Sequence, residues 1–151
     1  MKNLFLILGV SFLLAGCNGE KVKIELDHLA ALKRSLMELV PQFTSSEAGQ
    51  LKAQPFFDET VSLVAQLADQ EKPTEMLSSL FSTMSVDDFC QKIVLPKEAW
   101  QQINAKCESS MGYLCGEEVR ELPNIYQRLF GLASGELSNK FKIAPICKDW
   151  F

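Results

Sequence analysis

The sequence predicts an all-α protein: a compact bundle of about five to six short helices with an extended C-terminal tail, tied by two disulfides. Three observations predict this class. Apolar residues recur at the three- and four-residue spacing of amphipathic helices, prolines and serines stand where helices begin, and an even set of cysteines lies in the C-terminal half. A pattern typical of extended chain occurs only in one short segment near the C-terminus.

The first predicted element is a helix from Lys21 to Val40, which ends before Pro41. Its apolar stripe consists of leucines at spacings of three and four: Leu26, Leu29, Leu32, Leu36 and Leu39. The stripe indicates a helix packed on a core. Because the polar face is not rich in Lys and Arg, a helix lying on a membrane surface is less favoured. His28, the only histidine, is expected to be a partly exposed filler on this helix.

Capping residues and prolines predict where the following helices begin. Thr44 to Glu47 has the form of a capping box for a short helix, and a longer amphipathic helix is predicted from Phe56 to Gln70. The remaining predicted helix starts are Pro73, Ser85 with Asp88 three residues later, Pro96 and Pro123.

The last segment has a different pattern. Lys140 to Ile143 alternates polar and apolar residues, and Pro145 cannot lie inside a helix. An extended tail is therefore predicted, pinned to the body by Cys147. Trp150 and Phe151 would then either pack on the body or be presented at its surface.

The N-terminus has the three parts of an export signal. Lys2 provides a positive start, Leu4 to Leu14 an apolar run, and Ala15-Gly16 small residues before a cleavage site. The run of about 11 residues is shorter than the roughly 20 that a membrane-spanning helix needs. Cleavage is therefore expected, and residues 1–16 are predicted to be a signal peptide.

The residues Leu14-Ala15-Gly16-Cys17 resemble the lipobox of bacterial lipoproteins. The resemblance implies that Cys17 becomes the first mature residue and carries fatty-acyl chains such as palmitate. Residues 17–20 would then form a short tether, and 21–151 a single periplasmic domain. Asn18, rather than aspartate, follows the cysteine, which implies sorting to the inner leaflet of the outer membrane, facing the periplasm.

Charge and cysteine content narrow the functional classes. Removal of residues 1–16, which hold one lysine and no acidic residue, changes the formal net charge from −4 to −5. This balance argues against a nucleic-acid partner, which would need a basic face. The four cysteines that remain after lipidation are the disulfide candidates: Cys90, Cys107, Cys115 and Cys147. They allow three pairings.

A metal site, a cofactor and a catalytic centre are not expected. No two cysteines are separated by two residues and no histidine follows them, so zinc is disfavoured. The lone His28 belongs to no catalytic motif. Glu108-Ser109 reproduces a pair found in wall-cleaving transglycosylases, but the apolar-Met-Gln segment that follows in that family is missing here. The chain is therefore predicted not to be an enzyme.

These inferences converge on a membrane-anchored, periplasm-facing lipoprotein that acts as a non-catalytic protein-binding or accessory module. Its expected partners are the lipid bilayer, through acylated Cys17, and a membrane-proximal protein. In architecture alone it is similar to secretion-system pilot lipoproteins. Helix-in-groove recognition is expected, with Met76, Met84 and Met111 as candidates for adaptable lining, although ordinary core packing is the favoured role of these methionines.

Two alternatives remain open. One is an immunity or exclusion lipoprotein that blocks a toxin or a transfer apparatus. The other is an apolar-ligand carrier, which would need an unfilled cavity of roughly a few hundred Å³ between helices.

Overall fold

A computed structural model describes residues 26–42, 47–109 and 116–151, with the backbone alone at 42, 47–52, 108 and 109. All regular structure in these residues is α- or 3-10-helical, which confirms the all-α prediction. The predicted signal peptide 1–16, the lipidation site Cys17 and the tether 17–20 lie outside the described residues, and so does most of the predicted capping box.

The helices follow one another with short connections. Helix α1 is described over residues 26–39 and leads into a 3-10 turn at Val40–Gln42. The others are α2 (Glu47–Ala68), α3 (Pro73–Leu80), α4 (Val86–Lys92), α5 (Lys97–Ser109), α6 (Glu117–Gly131), α7 (Gly135–Ile143) and a terminal 3-10 turn at Cys147–Trp150.

The long helix α2 replaces two predicted helices. It has 22 residues, and therefore spans about 33 Å at ~1.5 Å per residue. The prediction of a separate short helix before Phe56 is wrong, because α2 continues through Pro55. Ala53, Phe56 and Phe57, on both sides of the proline, are buried in the core. Their burial outweighs the backbone hydrogen bond that the proline removes.

Helix α6 also begins earlier than predicted, since Pro123 lies inside it and not at its start. A proline in a helix interior leaves the carbonyl four residues earlier, that of Val119, without its usual N–H donor. The indole Nε1 of Trp100 donates to this carbonyl oxygen at 2.7 Å. A tertiary hydrogen bond from α5 thus takes the place of the missing helical one.

The predicted extended tail is wrong: Gly135–Ile143 is helix α7, and the chain ends in a 3-10 turn. The burial pattern explains the difference. Leu137 is half-buried, while Phe141 and Ala144 are buried, and their spacing of four and three residues is helical. Ile143, which creates the apparent alternation, is 77% exposed. Pro145 follows the helix instead of interrupting it.

Aromatic side chains connect the helices of the C-terminal half. Phe141 is fully buried, and its ring lies edge-on to Phe81 at 5.4 Å and tilted against Phe130 at 5.1 Å between centroids. The ring of Tyr126 contacts Phe130 on one side and Trp150 on the other. Together these rings join the C-terminal end of α3, α6, α7 and the terminal 3-10 turn into one core.

The connection between α4 and α5 is fixed by two of these aromatic residues. The backbone N–H of Leu95 donates to the Tyr126 hydroxyl at 2.8 Å, and the Trp150 indole donates to the Leu95 carbonyl at 2.9 Å. Burial raises the pKa of the Tyr126 phenol well above its usual range. Both backbone groups of a buried connecting residue are therefore satisfied. This holds the corner between α4 and α5 in place.

Candidate binding cleft

A cleft of about 820 Å³ opens between α1 and the corner where α4 meets α5. Its volume lies within the ~300–1,000 Å³ typical of binding clefts. One wall is a face of α1, formed by Asp27, Ala30, Lys33, Arg34, Met37 and Glu38. The opposite wall is formed by Gln91, Lys92, Pro96 and Ile146.

Lys33 is the unusual residue of this cleft. It is only 4% exposed, although it carries an ammonium group. Its Nζ donates a hydrogen bond to the backbone carbonyl of Gln91. Gln91 lies in the last turn of α4, where carbonyls lack helical donors and the helix dipole favours a cation.

Burial lowers the pKa of Lys33 from its ordinary 10.5 to about 8. Removing an ammonium from water disfavours its charged form unless another charge compensates it. Among the described residues, no carboxylate forms an ion pair with Lys33. Lys33 is therefore a buried cation that donates to one backbone carbonyl and has no counter-ion among the described residues.

The opposite wall contains a strained residue. Ile146 has φ 72° and ψ −57°, and the Cys147 N–H donates to the Pro145 carbonyl at 2.9 Å. This geometry is a γ-turn of the rare form, which is unfavourable for a β-branched residue. Such strain costs on the order of 1–3 kcal/mol, persists only where the surrounding structure enforces it, and clusters at functional sites.

A disulfide lies next to the wall that Gln91 and Ile146 form. Cys90 and Cys147 are joined, with their Cα atoms 5.5 Å apart. Cys90 directly precedes Gln91 and Cys147 directly follows Ile146, so the bond connects the backbone of two cleft-lining residues. The spacing of this wall is therefore fixed covalently.

The disulfide prediction is borne out in part. One disulfide, rather than the two predicted, is found with both ends in the described residues. Cys107 is buried and also disulfide-bonded, so it is not a free thiol. Cys115 lies outside the described residues. Of the three pairings that the sequence leaves open, the structure selects the one that contains Cys90–Cys147, and the pairing of Cys107 with Cys115 stays a prediction.

The predicted methionine lining is not what forms the cleft. Met76 is half-buried against the core, Met84 lines a smaller cleft of about 360 Å³ beside Ile143, and Met111 lies outside the described residues. Met37 is the methionine that lines the main cleft.

The other residues that the sequence singled out lie away from this cleft. His28 is exposed on α1, as a filler would be, and the side chain of Glu108 lies outside the described residues. Trp150 is half-buried, whereas Phe151 is 54% exposed and stacks on Phe130 at a third cleft of about 590 Å³.

Lys33 is not among the site residues predicted from the sequence, although its spacing from the buried leucines of α1 indicates a buried position. Leu26, Leu29 and Leu36 are all buried, and Lys33 continues their spacing of three, four and three. A lysine therefore occupies a core position of an otherwise leucine-lined stripe. The predicted apolar stripe also included Leu32 and Leu39, which are half-buried. Its predicted centre therefore lay to one side of Lys33.

Two further properties of the described residues bear on function. No group of three His, Cys, Asp or Glu side chains among them could hold a metal ion. None of the helices they form combines the length and hydrophobicity needed to cross a bilayer.

Compared with known proteins, the chain matches no family model, no curated protein and no solved structure. The class that can be stated is therefore physical: an all-α domain with a disulfide-backed cleft that contains a buried cation.

Proposed function

We propose that the chain is a lipid-anchored lipoprotein of the outer membrane whose helical domain faces the periplasm and binds another protein in the α1 cleft. Its role is that of a non-catalytic binding or accessory module. The lipobox-like residues Leu14 to Cys17 support the anchor. The cleft supports the binding role.

The observation that carries the binding role is the mixed chemistry of the cleft. Ala30, Met37 and Pro96 provide apolar surface, and charged side chains from both walls border it. Protein interfaces combine an apolar centre with a polar rim in this way. A cleft bordered by five charged residues would be costly for a purely apolar ligand, so a protein segment is favoured over the ligand-carrier alternative.

The position of the cleft in the chain fits a membrane-proximal partner. Helix α1 is described from residue 26, nine positions after Cys17. At ~3.3–3.6 Å per extended residue, this distance is at most about 30 Å. A domain on so short a connection meets partners at the membrane surface and not across a wide periplasmic space.

Site-specific photo-crosslinking in intact cells tests the binding role. A photoreactive amino acid at Ala30, inside the cleft, should give one defined protein adduct. The matched control is the same substitution at Ala31, which is the next residue on α1, is exposed and does not line the cleft. Equal adducts at both positions, or none at Ala30, would refute a binding role for the cleft.

The anchor is tested separately. Cys17→Ser should leave an unprocessed precursor that takes up no labelled fatty acid, because only a thiol can accept the diacylglycerol as a thioether. Normal processing of this variant would refute the lipoprotein assignment. The identity of the protein captured at Ala30 decides between an accessory role in secretion and the immunity or exclusion alternative.

A further inference from the structure

We propose that the partner of the cleft places an aspartate or glutamate side chain on Lys33, so that a carboxylate of the partner becomes the counter-ion of this buried ammonium. The inference rests on the proposed binding role of the cleft and adds the chemistry of the partner. It commits to an acidic residue on an amphipathic helix.

The first step of the argument is the unused hydrogen-bonding capacity of Lys33. An ammonium group has three N–H donors and no acceptor. One donor is used by the Gln91 carbonyl, and no other partner of this group is found among the described residues. A carboxylate offers two acceptor oxygens and a full negative charge, which together offset part of the penalty of burying the cation.

The second step is the charge distribution around Lys33. Arg34 on α1 and Lys92 at the end of α4 also line the cleft, so the centre is cationic. The acidic lining residues, Asp27 and Glu38, lie at the two ends of the α1 face. An acidic group is therefore attracted to the middle of the cleft and repelled from its ends, which fixes the register of the partner.

The third step is the shape of the cleft. The face from Asp27 to Glu38 is about 16 Å long at ~1.5 Å per residue, or three helical turns. Met37 on α1 and Ile146 on the opposite wall offer apolar surface next to the cationic centre. An amphipathic helix that carries one carboxylate, with apolar side chains three or four residues away, satisfies both requirements.

The pairing predicts a pH dependence of binding. In the free protein burial lowers the pKa of Lys33 to about 8, and a carboxylate on its ammonium would raise that pKa again. Binding then takes up a proton above pH ~8, and affinity must fall as the pH rises through this range. The other charged residues that line the cleft are Asp27, Arg34 and Glu38 on the α1 wall with Lys33, and Lys92 on the opposite wall.

Carbodiimide crosslinking of intact envelopes tests the pairing directly. This reagent activates a carboxyl group and joins it to an adjacent amine as an amide without a spacer, so it reports ion-pair distance. The expected product is an amide between the Lys33 Nζ and one Asp or Glu of the protein captured at Ala30. The pH dependence is read from the Ala30 photo-adduct, because photoactivation does not depend on pH, and the yield of that adduct should fall as the pH is raised above 8.

Variants provide a second readout. Lys33→Met should lower the yield of the Ala30 photo-adduct at least about tenfold, because one partner of a buried charge pair is removed. Lys33→Gln, which keeps a donor for the Gln91 carbonyl, should do the same and guards against misfolding of the first variant. The matched control Lys92→Met, which removes an exposed cation of the same cleft, should have a smaller effect.

The outcomes separate this inference from the proposed function. A photo-adduct at Ala30 that forms equally well in Lys33→Met, with no amide at Lys33, overturns the carboxylate pairing and leaves the binding role intact. A lipid adduct at position 30 overturns the pairing in favour of a headgroup. Absence of any specific adduct at Ala30 overturns both.

Discussion

The aromatic core around Phe141 and the cleft beside α1 share the Cys90–Cys147 disulfide but are built differently. Phe89, on one side of Cys90, belongs to the core, whereas Gln91, on the other side, lines the cleft. In the core, most rings are buried, and the Tyr126 hydroxyl and the Trp150 indole are hydrogen-bonded to the backbone of Leu95. In the cleft, Lys33 has no counter-ion among the described residues, and the backbone is strained at Ile146.

The core therefore contains interactions that stabilise the fold, whereas the cleft contains a charged group that is costly to bury. Ring packing and the hydrogen bonds to Leu95 stabilise the C-terminal half. An uncompensated buried charge reduces stability, and strongly perturbed ionisable groups in clefts are concentrated at functional sites. The predictions below contrast the two regions.

Removal of the central ring should have the largest effect. Phe141→Ala should lower the free energy of unfolding by about 3–5 kcal/mol, because it opens a cavity in the middle of the aromatic core. Urea denaturation measures this loss. The control Phe151→Ala removes a ring that is 54% exposed, and it should cost about 1 kcal/mol or less. Similar losses in the two variants would mean that the core is not organised around Phe141.

Removal of the Cys90–Cys147 disulfide should cause the next largest loss in the free energy of unfolding. The bond closes a sequence separation of 57 residues, for which chain entropy predicts a stabilisation of about 4 kcal/mol. Cys90→Ala and Cys147→Ala should each lose this amount, and so should the double variant, since all three remove the same bond. A double variant that loses about twice as much as either single variant would contradict this account.

Loss of the Tyr126 hydroxyl should have a smaller effect. Tyr126→Phe leaves the buried N–H of Leu95 without an acceptor and should cost about 1–3 kcal/mol at pH 7. Because burial raises the phenol pKa in the folded state, the wild type should lose stability as the pH rises above ~10, where the unfolded tyrosine ionises.

The difference in the free energy of unfolding between wild type and Tyr126→Phe should therefore become smaller at high pH. Ser35→Ala, which removes an exposed hydroxyl hydrogen bond to Ala31, should change stability by no more than about 0.5 kcal/mol and serves as the control. A loss in Tyr126→Phe no larger than in Ser35→Ala would show that the Leu95 hydrogen bond does not stabilise the corner.

Helix starts marked by local chemistry are predicted well from the sequence. Pro73 lies in the first turn of α3, Ser85 accepts a hydrogen bond from the Asp88 N–H as the N-cap of α4, and Pro96 directly precedes α5. In each case the signal involves residues within one turn of the helix start, so no knowledge of the tertiary structure is needed.

Features that depend on distant residues are not predicted. The interior position of Pro123 depends on Trp100, which supplies a donor from another helix. The helical tail depends on Phe141 reaching rings in α3 and α6. The cleft is missed for the same reason, since Lys33 becomes unusual only where α1 meets the end of α4, although its position in the leucine stripe is visible in the sequence.

The central claim is that Lys33 carries a charge that the fold does not need. Its pKa is lowered in the folded state, so its cost is present in full below pH 8 and disappears as the pH rises to the unfolded value of 10.5. Replacing even a buried ion pair by apolar side chains of similar volume is neutral or stabilises proteins by up to about 4 kcal/mol, and an unpaired buried charge has no Coulomb attraction to lose.

The most direct test is the free energy of unfolding of Lys33→Met and of the wild type, measured by urea denaturation at pH 7 and at pH 10. The account predicts that the variant is more stable at pH 7 by about 1–3 kcal/mol and that this advantage decreases toward pH 10. A variant that is less stable than the wild type at pH 7 would show that Lys33 serves to hold α1 on α4, and would contradict the account.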